Sequence, residues 1–174
     1  MSGFALFTDA SLNSRLSVGA GAFLIIPAAL LTGYSGSIAA LNLFELLRVK
    51  RFDATGSTAL EINTALWALE SFRNEFTEAG AGNLRLYTDS QCLAGLLHRR
   101  PALERNDFVS KRAGSALKNA ALYREFFRFY DEEGFEVIKV AGHTRSSNRD
   151  MIHSIFSFLD REARKILRTW VMTA

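Results

Sequence analysis

Apolar and polar positions alternate with period two over Phe4 to Thr8 and read as a second strand over Val18 to Ile26, with Asn13-Ser14-Arg15 as the turn between them. Leu46 to Phe52 sets Leu47 and Val49 against Arg48 and Lys50, which predicts the third strand of a meander. The apolar segment between, Ala28 to Phe44, follows neither period. From Thr58 to Ala79 the spacing becomes helical, with Ile62, Ala65, Leu66, Leu69, Phe72 and Phe76 on one face, and Gly80 and Gly82 close the helix. Asn83 to Thr88 predicts a fourth strand and a short helix after Asp89. Pro101 breaks that pattern, and a polar helical region carrying Phe108, Leu117, Leu122, Phe126 and Phe129 runs to about Asp131. Phe135 to Val140 predicts a fifth strand. Arg149 to Thr169 predicts a last helix on Ile152, Ile155, Phe156, Leu159, Ala163, Ile166 and Leu167. The order is three strands, helix, strand, helices, strand, helix, which is an α/β fold with a mixed five-stranded sheet flanked by helices.

The 174 residues suit one domain, 1–174, of a size that buries roughly 70% of the unfolded chain's surface. Cys92 is the only cysteine, which excludes an intramolecular disulfide and a cysteine-rich zinc site and fits a reducing, cytoplasmic setting. The N-terminus has no basic start and apolar core of a secretion signal, and Ala20 to Leu31 is too short to cross a bilayer and contains Pro27, so no membrane association is expected. The net charge of +3 is mild. Its distribution is not: Arg99, Arg100, Arg105, Lys111, Arg112, Lys118, Arg124 and Arg128 face only Glu104, Asp107 and Glu125 in the same stretch. Such a local excess points to a polyanion.

Four carboxylates then become conspicuous. Asp9 follows the first strand as Asp89 follows the fourth, and parallel neighbouring strands would bring both to one sheet edge, beyond the C-terminal strand ends where α/β folds place ligands. Glu61 lies one turn inside the first long helix and Asp150 at the start of the last. Each has a local alternative. Asp89 reads as the N-cap of a helix over Ser90 to Leu97, Thr58-Ala-Leu-Glu61 as a capping box, Ser147-Asn-Arg-Asp150 as nearly one, and Asp9 as a turn initiator. Brought together, they would repel and take up protons unless a cation neutralised them. Oxygen ligands without cysteine suit Mg²⁺, with Mn²⁺ as a substitute.

"FTDAS" (Phe7 to Ser11), "TGSTALEINTALWALE" (Thr55 to Glu70), "YTDSQ" (Tyr87 to Gln91) and "VAGHTRSSNRD" (Val140 to Asp150) together resemble type 1 ribonuclease H, in order and spacing, from Phe4 to about Arg168. The resemblance implies a ribonuclease H-like fold, with three antiparallel strands followed by two parallel ones. It implies hydrolysis of the RNA strand of an RNA/DNA hybrid by two Mg²⁺ ions held by Asp9, Glu61, Asp89 and Asp150, leaving 5′-phosphate and 3′-hydroxyl ends. His143 matches the family histidine that assists proton transfer or product release. Gln91 matches a position that reaches the minor groove, Asn13, Ser57 and Thr58 match polar backbone contacts, and Arg99, Arg100, Arg105, Lys111, Arg112 and Lys118 occupy the place of the family's basic protrusion. The interval from His143 to Asp150 is shorter than in many bacterial members, and Ala10 stands where glycine is commoner. A monomer is expected, with Ala28 to Phe44 as a surface for a protein partner. Two other functions fit the same residues: a DNA nuclease or resolvase on this fold, and a non-catalytic hybrid-binding module.

Overall fold

The computed structural model describes residues 3–32, 42–76, 84–141 and 151–173. Its strands are β1 (Phe4–Asn13), β2 (Val18–Pro27), β3 (Arg48–Phe52), β4 (Leu84–Thr88) and β5 (Glu136–Lys139). The helices are α1 (Ala29–Thr32), α2 (Leu43–Leu46), α3 (Ser57–Glu75), α4 (Gln91–Ala94), α5 (Leu96–Arg105), α6 (Ala120–Glu133) and α7 (Met151–Met172). The sheet order is β3-β2-β1-β4-β5, and β1, β2 and β3 are antiparallel while β1, β4 and β5 are parallel, the arrangement the resemblance implies.

Period two decides which face each strand residue serves. Leu6, Phe23, Leu84 and Leu86 pack with Ile62, Leu66, Leu69 and Phe72 of α3 and Phe126 and Phe129 of α6. Their neighbours Ala5, Phe7, Leu24, Ile26 and Tyr87 point the other way, onto Ile155, Phe156, Leu159 and Ala163 of α7. Phe7 and Tyr87 stack across the parallel pair with centroids 4.7 Å apart. The sheet is therefore a double-sided core layer, with α3 and α6 on one face and α7 on the other.

Two glycines set how closely α3 lies. A Cβ on Gly19 would fall 2.4 Å from Leu60 Cδ2, and one on Gly21 would fall 2.2 Å from Thr64 Oγ1. Both approaches are far inside van der Waals contact, so β2 and α3 meet backbone to side chain. Glu61 stands between those two contact residues.

Several expectations change in detail. β1 does not end before Asp9 but runs on to Asn13, with Asp9 paired to Ala22. Asp is a poor strand residue, but β2 supplies a full antiparallel partner, while the parallel pairing with β4 stops at Phe7 and Tyr87. Leu46 and Leu47 precede β3 rather than open it. Pro101 lies inside α5 instead of ending it. Its lost hydrogen bond is offset from outside, by buried Leu96 and by Arg100, which pairs with Asp131 of α6. The expected long helical region is a loop followed by α6. Asp107 and Phe108 have φ of 46° and 55°, and Val109 bridges to Ala116 before α6 begins. The segment from Ala28 to Phe44 holds the short α1 and the start of α2, and its residues 33–41 lie outside the described residues.

Candidate active site

β1 and β4 run in register with Phe7 opposite Tyr87, so Asp9 and Asp89 leave the pair at the same level beyond its C-terminal end. Glu61 reaches that end from α3. These three carboxylates line a single cleft of about 170 Å³ with Thr8, Ala10, Thr64, Thr88 and Ser90. Two further residues close it from the opposite sheet face, Asp160 and Arg164, in the third and fourth turns of α7.

The residue after Asp89 explains how the strand ends. Ser90 is the N-cap of α4, and its hydroxyl accepts the Leu93 amide at 3.1 Å, so the cap expected of Asp89 is made by its neighbour. The same hydroxyl donates to Glu61 Oε2, while Ser57 donates to Glu61 Oε1 at 3.4 Å. The capping box expected of Thr58 and Glu61 does not form. Gly56 is the N-cap of α3, with no side-chain cap bond, and Thr58 already lies inside the helix.

Burial and the nearby Asp89 push the Asp9 carboxyl up to about 7, with Asp160 adding to the rise, while the Ala10 amide and Arg164 oppose it. The Ala10 amide donates to Asp9 Oδ1 at 2.8 Å. A carboxyl raised this far reflects its burial first and the neighbouring negative charge second. Among the described residues no group of three or more His, Cys, Asp or Glu side chains is already disposed to hold a metal ion, and Glu61 is engaged by the two serines. The donor chemistry nevertheless fits a hard divalent cation: the charged donors of the cleft are carboxylate oxygens, flanked by threonine and serine hydroxyls, with neither sulfur nor imidazole among the lining side chains.

The remaining expected site residues are spread around this cleft. Asn13 ends β1 and accepts the Leu16 amide at 3.1 Å, which closes the expected turn. Ser57 and Thr58 open α3 beside Glu61, and Gln91 opens α4, exposed, its carbonyl accepting from Lys139 at the end of β5. Arg99 donates to the Cys92 carbonyl at 3.0 Å. Arg100 is held in a bidentate pair with Asp131 (2.5 and 2.7 Å), with a further bond to Glu104 and its guanidinium over Phe127, and these contacts tie α5 to α6. Arg105, Lys111, Arg112 and Lys118 are exposed at the end of α5 and along the loop that follows. His143 and Asp150 lie outside the described residues.

Asp160 and Arg164 were not legible as site residues from their local pattern. Both fall on the flank of an apolar helical stripe, where an i,i+4 ion pair reads as ordinary surface decoration. The one signal was indirect: the short interval from His143 to Asp150 leaves room for a later acid.

No protein-family model and no curated protein matches the sequence. Solved structures do match in shape. The PFV RNase H domain, a solution structure, aligns with a TM-score of 0.62 at 15% identity, covering 95% of this chain and 94% of that one. A foamy viral protease-reverse transcriptase in complex with double-stranded DNA aligns with a TM-score of 0.55 at 13% identity, over 88% of this chain and 90% of that chain. The foamy viral protease-reverse transcriptase in complex with an RNA/DNA hybrid gives 0.54 at 12% identity, over 84% of this chain but only 18% of the other. The five-stranded mixed sheet, its helices and these alignments define a ribonuclease H-like fold.

Proposed function

We propose that the chain is a divalent-metal-dependent nuclease that hydrolyses the RNA strand of RNA/DNA hybrids, leaving 5′-phosphate and 3′-hydroxyl ends. One observation carries this reading: Asp9, Glu61, Asp89 and Asp160, from four different parts of the chain, line one cleft at the C-terminal end of the parallel strands. In this reading Asp160, rather than Asp150, completes the set of four metal-holding carboxylates. Met151, the first residue of α7, lies about 13 Å of helix axis before Asp160, so the start of the helix and the cleft are well separated.

Bound Mg²⁺, or Mn²⁺ in its place, would supply a nucleophilic hydroxide and charge stabilisation at the leaving 3′ oxygen. The chain's own work is positional. β1 and β4 fix Asp9 and Asp89 side by side, and Ser90 and Ser57 hold Glu61 at the rim. Asp9, whose carboxyl burial and Asp89 push up to about 7, is the acid that would give up a proton were a divalent cation held there. His143 is assigned proton transfer, and Gln91, tethered by Lys139, is assigned the contact to the minor groove, where 2′-hydroxyl groups distinguish RNA from DNA.

The test is cleavage of an end-labelled RNA strand, paired with DNA, paired with RNA, and alone, in Mg²⁺ and in EDTA, beside an all-DNA duplex. Cutting of the hybrid alone, abolished by EDTA and by Asp89→Asn, is the expected result. Preference for all-DNA substrate would move the assignment to a DNA nuclease, and tight hybrid binding without turnover would make the chain a binding module.

A further inference from the structure

Arg164 is the one cation among the described residues that line the cleft; the other charged side chains there are all acids. Its Nε pairs with Asp160, one turn back on α7, at 2.8 Å. That contact engages one edge of a planar guanidinium with five N–H donors, the geometry that suits a phosphate's oxygens. The side chain is 56% exposed, so the charge stands at the mouth of the cleft, not in its floor. The other cations of this helix have different surroundings: Arg161 lies over the Phe158 ring and pairs with Glu162, as does Lys165, and neither Arg161, Lys165 nor Arg168 lines the cleft. A nucleic-acid backbone entering a cleft of four carboxylates meets strong repulsion, and a fixed cation at the entrance offsets part of it.

Resting on the nuclease reading above, we propose that Arg164 is a phosphodiester ligand: its guanidinium contacts a backbone phosphate at the mouth of the cleft, and the Asp160 pair holds it in position to do so. The contact is independent of base sequence, and it adds one fixed charge to those that neutralise the bound strand.

The experiment measures binding of a fluorescent RNA/DNA hybrid over a range of salt concentrations, in Ca²⁺, with the hybrid confirmed intact on a gel. Each neutralised phosphate contributes about 0.9 to the slope of log affinity against log salt for duplex DNA. Arg164→Gln should weaken binding roughly tenfold, the size of one charge-assisted hydrogen bond, and lower the slope by close to that amount. Arg164→Lys should recover most of the slope. Arg168→Gln, which removes the same charge from the same helix outside the cleft, should leave the slope as in wild type. Thermal melting of each variant confirms that it folds. An unchanged slope for Arg164→Gln, or an equal fall for Arg168→Gln, overturns the proposal. Tighter Ca²⁺ binding by Arg164→Gln with an unchanged slope also overturns it, assigning the guanidinium to the carboxylates alone. Failure of the wild type to bind hybrid at any salt concentration overturns the nuclease reading together with this one.

Discussion

Asp9 shows what a single side chain costs when its place is dictated by chemistry. Its carboxyl is pushed from 3.8 to about 7, so between those values the folded protein holds a proton that the unfolded chain releases. Stability from this group is fully present below about pH 4 and is lost as pH rises towards 7. Asp9→Asn should therefore melt with the wild type near pH 4 and several degrees above it at pH 8, by differential scanning fluorimetry. Mg²⁺ at pH 8 should raise the melting temperature of the wild type and barely move that of Asp9→Asn. Equal melting at both pH values would mean that neither burial nor Asp89 holds the Asp9 carboxyl above its ordinary range. The assignment of the fourth acid has its own test. Asp160→Asn should lower hybrid cleavage by about a hundredfold or more, while Asp150→Asn stays within a few-fold of wild type, and the reverse order would return the role to Asp150.

At the scale of elements, the cleft depends on helices being placed as much as on acids being present. Gly21 has no room for a side chain against Thr64 Oγ1 or against Phe52, whose nearest ring atom would lie at 2.8 Å. Gly21→Ala must push α3, and Glu61 with it, away from β2. We expect a loss of about 1–3 kcal/mol in urea unfolding together with reduced cleavage, whereas stability loss at full activity would mean that α3 can shift without moving the site. The strands and the two long amphipathic helices were legible because their apolar residues are spaced for burial on one or both faces. The extension of β1 past Asp9 was not, since it rests on β2 as a partner rather than on residue preference. The cap at Ser90 was hidden by a stronger-looking neighbour, and Asp160 by the phase of α7, which only the packing of that helix on Phe7 and Tyr87 fixes.

Across the whole molecule, the basic stretch divides into two populations that composition cannot separate. Arg100 is spent on Asp131 and Glu104, while Arg105, Lys111, Arg112 and Lys118 face solvent. Arg100→Gln should lower the melting temperature yet leave the salt dependence of hybrid binding unchanged. Replacing Lys111, Arg112 and Lys118 by Gln should do the opposite, with the slope reduced by up to about 0.9 for each phosphate that is no longer neutralised. A uniform response from both variants would mean that the stretch acts only as diffuse charge. β1, β4, α3, α4 and α7 all end or pass at the same cleft, and one hydroxyl, that of Ser90, bridges two of them by accepting from the Leu93 amide while donating to Glu61. Donation to an anion polarises a hydroxyl and makes it a better acceptor. Any ligand that draws Glu61 away therefore weakens the Leu93 hydrogen bond, giving one amide resonance, distinct from those of the carboxylate residues themselves, as a spectroscopic gauge of whether the cleft is filled.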